Sequence, residues 1–239
     1  MLNTASQLIF PVLTLGFFYF LDLEIRYAVE RTGRTPESKS RFMARFRLAL
    51  GIWAVVVTAW SLSGMFGRFD LFPLNAGPIL IVPLITVPWF VFSKDTADIM
   101  EGMSQNKVLR LQVFRLFVEI GLWGLFVADQ LPIQMTFEGR NFDILAGITG
   151  PVVSYLHSRN RLSRGALIAW NFLCLGLLLN IVVIAILSMP TPLQYFTNEP
   201  VNTVVAKFPV SFLPGFLVPL AYGLHFISLR KAFAERVLP

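Results

Sequence analysis

Leu111-Gln112-Val113-Phe114-Arg115-Leu116-Phe117-Val118-Glu119-Ile120-Gly121-Leu122-Trp123-Gly124-Leu125-Phe126-Val127-Ala128 is an apolar run with one amide and two opposite charges set into its first half. An α-helix rises about 1.5 Å per residue, so a run of this kind approaches the ~20 residues that cross a hydrocarbon layer about 30 Å thick. Gln112, Arg115 and Glu119 are spaced three and four residues apart, which puts them on one helical face. On a membrane reading Arg115 lies about 7 Å and Glu119 about 13 Å past the inner boundary, a depth at which an unpaired charge costs several kcal/mol. Arg115 can reach back toward water along its aliphatic stem, whereas Glu119 cannot, so Arg115 is the expected partner of Glu119.

The same kind of run recurs along the chain. Seven apolar stretches, at about 4–22, 48–66, 78–92, 111–128, 142–156, 165–187 and 209–229, are separated by polar loops. Of the 239 residues 55% are hydrophobic and only 14% charged, with a mean hydropathy of +0.66. Water-exposed domains carry about a quarter charged residues. The runs are continuous rather than alternating, which favours helices over a barrel. The expectation is therefore an all-α membrane protein with seven transmembrane helices. No loop has apolar periodicity of its own, so residues 1–239 read as one transmembrane domain.

Charge sets the expected orientation. Sixteen of the twenty Lys and Arg residues fall in alternate loops and at the C-terminus; Arg115 lies within a run near the same side, and Arg68, Arg140 and Lys207 are the exceptions. The loop from Glu24 to Arg47 alone holds seven of them. Positive residues mark the inner side of spans, which places the N-terminus outside, the C-terminus inside and the chain in a cell inner (cytoplasmic) membrane. The net charge of +6 and isoelectric point near 9.8 are accounted for by these helix-end residues, so they argue for lipid and against nucleic acid as a partner. Met1 to Gln7 has no positive charge and no small-residue cleavage site follows the first run, so the first helix is expected to remain as an anchor. Cys174, the single cysteine, excludes an intrachain disulfide and a cysteine metal site.

Two halves of the chain echo one another. Arg47 to Trp53 and Arg164 to Trp170 both read R-x-A-L-x-x-W, and Pro78, Pro83 and Pro88 match the spacing of Pro209, Pro214 and Pro219. This fits a parallel three-plus-one-plus-three repeat of the transporter kind, with the site between repeats. Chance is the alternative, since these residue types are common in spans. The prolines bend their helices and free carbonyls in either case.

Gln112, Arg115, Glu119, Asn171, Asn180, Tyr222 and His225 are the candidates for a substrate or proton path. Arg115, Asn171 and His225 fall at similar depth and make one candidate layer. Asn is equally a common hydrogen-bonding glue between helices. Glu138, Arg140, Asp143 and Glu199 form a candidate outer mouth, with helix capping the simpler role for Asp143. No metal or cofactor is expected: haem at His225 would need a second histidine at matching height, and His157 is at a helix end. Span seven has no mid-membrane Lys for a retinal Schiff base, and no phosphate loop, zinc-protease or serine-hydrolase motif is present.

The stretches Met135 to Thr149, Asn198 to Asn202 and Leu213 to Arg230 resemble a family of uncharacterised bacterial multi-pass membrane proteins, over spans three to seven. That resemblance implies a bacterial inner membrane and no activity. The helix layout is similar to the sugar-transporting SWEET family in architecture alone, because the proline positions differ. The functional expectation is a small-solute or ion transporter. The alternatives are a non-catalytic membrane subunit or assembly partner, homo-oligomeric or with a membrane protein, and a membrane enzyme acting on a lipid-like substrate. Binding is favoured over catalysis.

Overall fold

Thr35 and Pro36 end the first loop far earlier than hydropathy alone implies. The Thr35 hydroxyl accepts the Ser38 N–H, Pro36 fills the first helical position, and Glu37 lies in the positive first turn. In the computed structural model, which describes residues 2–234, the first two helices are consequently long. They are α1 (Leu2–Glu30) and α2 (Pro36–Leu62). The chain continues through α3 (Gly77–Phe92), α4 (Ala97–Gly102), α5 (Gln105–Leu111), α6 (Phe114–Val127), α7 (Ile144–Ser158), α8 (Arg164–Leu187) and α9 (Val218–Ala234). A single wide turn of π-helix, Leu213–Leu217, leads into α9. The C-terminal tail expected from residue 230 onward continues α9 to Ala234, and 235–239 lie outside the described residues, as does Met1.

The all-helical expectation holds and the seven spans do not. Among the described residues three helices are long and apolar enough to cross a membrane: 5–30, 36–62 and 164–187. A fourth arises only if Gly77–Phe92 and Lys94–Gly102, bent by 62° to each other, are counted together. The run at 111–128 is not one helix. Gln112 and Val113 form a tight joint between α5 and α6, with Arg115 N–H bonding to the Gln112 carbonyl and Leu116 N–H to that of Val113. This leaves α6 with 14 residues, about 21 Å of helix. The α7 helix has 15 residues and α9 has 17. The latter buries residues on every side, from Pro219 round to Ala232, and is the central helix of the packing.

The predictions built on seven spans fall with them. They include the outside-to-inside orientation, the multi-pass inner-membrane location, the bilayer as partner with a solute or ion crossing it, and the likeness to multi-pass and SWEET-type families. The transporter, membrane-subunit and lipid-acting membrane-enzyme functions go too. The repeat also fails. The α3 helix stays α-helical through Pro83 and Pro88, whereas the matching prolines lie in or beside the π turn.

Pro219 shows how this fold compensates a missing donor. It has no N–H for the Gly215 carbonyl four residues back, and the Trp53 indole N–H from α2 donates there at 2.8 Å. Trp53→Phe leaves that carbonyl unpaired. The expected loss is about 1–3 kcal/mol of unfolding free energy, read by denaturant titration. An unchanged midpoint would show that another donor serves Gly215.

The elements around α6 pack closely because small residues face them. An added Cβ at Gly121 would lie 2.6 Å from Ile9 Cγ2 of α1. One at Gly147 of α7 would lie 2.4 Å from the Leu116 backbone nitrogen. The α1–α6 and α6–α7 contacts hold α6 between two helices. The outward face of α2 is different: Leu48, Ile52, Val55 and Leu62 are exposed.

Candidate functional site

The close approach of α7 to α6 brings Asp143, just ahead of α7, against Arg115 in the first turn of α6. Arg115 Nε donates to Asp143 Oδ2 at 2.7 Å, and Nη2 donates to the other carboxylate oxygen, a two-pronged planar pairing. Arg115 is 1% exposed and Asp143 4%. This corrects two expectations. Asp143 makes no side-chain cap for α7, and Arg115 is not primarily the partner of Glu119. Burial pulls Arg115 down to about 10, which leaves it charged at neutral pH.

The remaining Arg115 donors lead toward α8 and α9. Nη2 also donates to the Cys174 carbonyl at 3.3 Å, and Nη1 meets His225 Nε2 at 2.9 Å. Because guanidinium only donates, Nε2 must accept, and the imidazole proton sits on Nδ1. Nδ1 then donates to Asn171 Oδ1 at 2.9 Å. Burial, with the Arg115 charge beside it, holds His225 well below its ordinary range, which agrees with the neutral tautomer. Asn171 Nδ2 donates to the Leu167 carbonyl and to Ser228 Oγ, which also accepts from Gln105 Nε2 at 2.6 Å. Arg115, Asn171 and His225 are thus joined in one chain of contacts that crosses α5, α6, α8 and α9. Trp170 packs beside the imidazole, with ring centroids 5.3 Å apart.

One turn beyond Arg115, Glu119 is held by Asn141. Asn141 Nδ2 donates to both carboxyl oxygens at 2.7 Å, while Asn141 Oδ1 accepts the Asp143 N–H at 3.0 Å. Asn141 therefore fixes Glu119 and the Arg115–Asp143 pair relative to each other. Burial pushes Glu119 up to about 8, against the opposing pull of the Asn141 bond and the Arg115 charge. A carboxyl raised on folding keeps its proton in the native state after the unfolded chain has lost it. Stability therefore falls as pH rises from about 4.5 to about 8, by at most ~1.4 kcal/mol per unit, and is level above that window. Glu119→Gln is expected to flatten this decline and to raise the melting temperature at pH 8.5 relative to the parent. Thermal melts of both proteins at pH 6 and 8.5 check the sign.

Other candidates lie apart from this centre. Gln112 Nε2 donates to the Ala221 carbonyl at 3.3 Å, and its Oε1 is buried without a partner, as is the Tyr222 hydroxyl. Asn180 donates to the Arg140 carbonyl at 2.9 Å. The outer mouth is dispersed. Glu138 is exposed and accepts the Trp123 indole N–H, the Arg140 guanidinium lies over the Phe196 ring, and Glu199 accepts the Val201 N–H in its own turn. Asp143 alone of the four joins the buried centre. Among the described residues no three His, Cys, Asp or Glu side chains converge as a metal-ligand set. Asn141, Ser228 and Gln105 were missed as members. The one sequence signal for Ser228 is its position three residues past His225, on the same helical face.

Arg115, Glu119 and Asp143 are among the residues around a part-open chamber of about 80 Å³ whose surface is almost wholly apolar. Its other walls are apolar and come from α6, α8 and the 213–221 segment, with Leu122, Leu178, Ile181, Leu217 and Ala221 among them. A larger groove of about 420 Å³ runs between α1, α2, α3 and α9. Two polar groups in its wall are satisfied internally: the Trp53 indole by Gly215 and the Thr86 hydroxyl by Val82. The smaller chamber is the candidate site because, of the two cavities, it adjoins the buried Arg115, Asp143 and Glu119 groups.

A family model described as a domain of unknown function (DUF8737) matches residues 98–233, more than half of the chain, and the chain belongs to that family. No curated protein and no solved structure matches it. Every residue of the Arg115 network and of the Glu119–Asn141 pair lies inside the matched segment.

Proposed function

We propose that this member of the DUF8737 family is a binding protein for a small, largely apolar molecule held in the chamber. The observation that carries this reading is the chamber itself, about 80 Å³ with an almost wholly apolar surface, behind which the Glu119 carboxyl is buried. Both Glu119 carboxyl oxygens are bonded to the single amide of Asn141, so a ligand in the chamber meets hydrocarbon walls rather than the carboxyl. Chamber size supports a compact ligand: about 80 Å³ is roughly half the 150 Å³ cavity that admits benzene.

Binding is favoured over catalysis by the state of the neighbouring groups. Both His225 ring nitrogens are engaged, and Arg115 is clamped by Asp143. Neither is free to shuttle a proton, and they serve as the frame that positions Glu119. Ligand-observed NMR with isobutanol and isobutylamine tests the reading. Saturation transfer to at least one of them is expected in the parent and lost in Val182→Phe, which fills the chamber. Absence of transfer to either, or transfer unchanged in Val182→Phe, would refute it.

A further inference from the structure

We propose that the larger groove between α1, α2, α3 and α9 is a second binding site, for a single-chain anionic amphiphile. The hydrocarbon tail lies along α9 and a carboxylate head meets Arg230. This goes beyond the chamber reading and does not depend on it.

The groove has the dimensions of a ligand site. Its volume of about 420 Å³ falls within the ~300–1,000 Å³ usual for small-molecule pockets. Its lining residues on α9 run from Gly215 to Ile227, about 18 Å of helix. Phe18, Trp53 and Phe216 line one end, and Ile25, Phe46 and Phe90 the other. Contacts between helices fix that direction. Trp53 bonds to Gly215 at the first end, whereas Phe46 and Phe90 stack at the second, with ring centroids 5.9 Å apart. The polar groups of Trp53 and Thr86 in the wall are satisfied within the protein. The wall therefore takes a tail, and the rim chooses the head.

Charge appears at one rim alone. Residues 2–21, 48–62, 77–92 and 213–224, which build most of the groove, contain no charged side chain. The sequence changes around Ile25, Phe46, Val91 and Ile227. Arg26, Arg45, Arg47, Lys94, Arg230 and Lys231 all fall within four positions of these lining residues. Asp22, Glu24 and Asp95 are the carboxylates in the same reach. Arg47 binds Asp22 at 2.7 Å and Lys107 binds Glu24 at 2.8 Å, so cations remain in excess. Arg230 is the one tied to the groove wall. Its Nη1 donates to the Val91 carbonyl and, at 3.2 Å, to that of Ser93, at the C-terminal end of α3. Val91 lines the groove, as does Ile227 one turn before Arg230. The Nε and Nη2 donors of Arg230 make no hydrogen bond among the described residues, which leaves one edge of the guanidinium for a carboxylate. The head group stays at this wet rim, so no charge enters the apolar wall. A cationic head would meet like charge there, and a neutral one would forgo the ion pair.

The test titrates the full chain at pH 8 with decanoate, decan-1-ol and decyltrimethylammonium, each below its micelle concentration, and reads methyl NMR shifts. The expected shifts fall on Val82, Val87, Leu224 and Ile227 of the groove. At 20 mM salt decanoate is expected to bind about tenfold more tightly than decyltrimethylammonium, and this ratio should shrink at 0.5 M salt. Arg230→Gln is expected to weaken decanoate about threefold to fivefold and to leave decanol unchanged. Should Arg230→Gln fail to fold, the parent decides: a decanoate-to-decyltrimethylammonium ratio that shrinks with salt supports the assignment, and one that does not overturns it. Thr86→Phe, which narrows the groove, is expected to weaken all three. Equal or tighter binding of decyltrimethylammonium overturns the anionic head. Groove methyls unmoved by all three probes overturn the site. The chamber is read by isobutanol on its own methyls, so either site can fail without the other.

Discussion

Asp143→Ala is expected to destabilise the fold by about 3–5 kcal/mol, because it leaves the Arg115 guanidinium buried without its counter-charge. The loss is large for a physical reason. Arg115 is 1% exposed, so water does not replace the lost carboxylate, and the neutral His225 and the Cys174 carbonyl supply only dipoles. Asp143→Asn should cost nearly as much, since an amide keeps the shape and loses the charge. Arg115→Met with Asp143→Leu removes both charges, and a large part of the stability should return, as buried ion pairs replaced by apolar residues of similar size are often neutral. Denaturant midpoints of the parent, both single variants and the double variant form the cycle that separates the pair from its surroundings. A loss under about 1 kcal/mol for Asp143→Ala would mean that the pair does not organise the α6–α7 packing.

The second large effect is steric. Gly147→Ala adds a Cβ about 2.4 Å from the Leu116 backbone nitrogen and 3.0 Å from its Cα. No rotamer change relieves a clash with backbone, so α7 must move off α6 and carry Asp143 and Asn141 with it. The expected cost is about 3 kcal/mol, at the upper end of overpacking. Glu119 and Arg115 would be displaced at the same time, so ligand binding should weaken beyond what lost stability explains. Gly176→Ala is the control. It lies inside α8 with open space around it, and there Ala is expected to stabilise by about 0.5–1 kcal/mol.

These two predictions also mark what sequence could reveal. Helices were legible throughout because apolar residues run continuously and turn residues punctuate them. Span number was not, because hydropathy averages over a window and does not register a two-residue joint such as Gln112–Val113 or the break at Ser93. Nor does it separate an outward-facing apolar helix from α9, which is apolar because it is central. The basic composition of 24–47 reads as loop, yet Thr35 and Pro36 are sound start signals for α2.

The candidate site was legible in part for a related reason. Gln112, Arg115 and Glu119 share a face through local spacing alone, and Arg115, Asn171 and His225 could be grouped by estimated depth. Pairings across the fold could not be read. Asp143 is 28 residues from Arg115, and Asn141 is 22 from Glu119. Local rules offer capping for Asp143, and the demand of a buried guanidinium outweighs that cap. Burial of a charge imposes its partner more strongly than a helix terminus does.

The central claim is that a small ligand occupies the chamber beside Glu119, and methyl-resolved NMR locates it directly. On titration with isobutylamine and isobutanol at pH 8.5, shifts should concentrate on Val118, Leu122, Leu178, Ile181, Val182 and Leu217, which line the chamber. Methyls that leave these six unmoved, or that shift instead at Val82, Val87 and Leu224 in the larger groove, would contradict it.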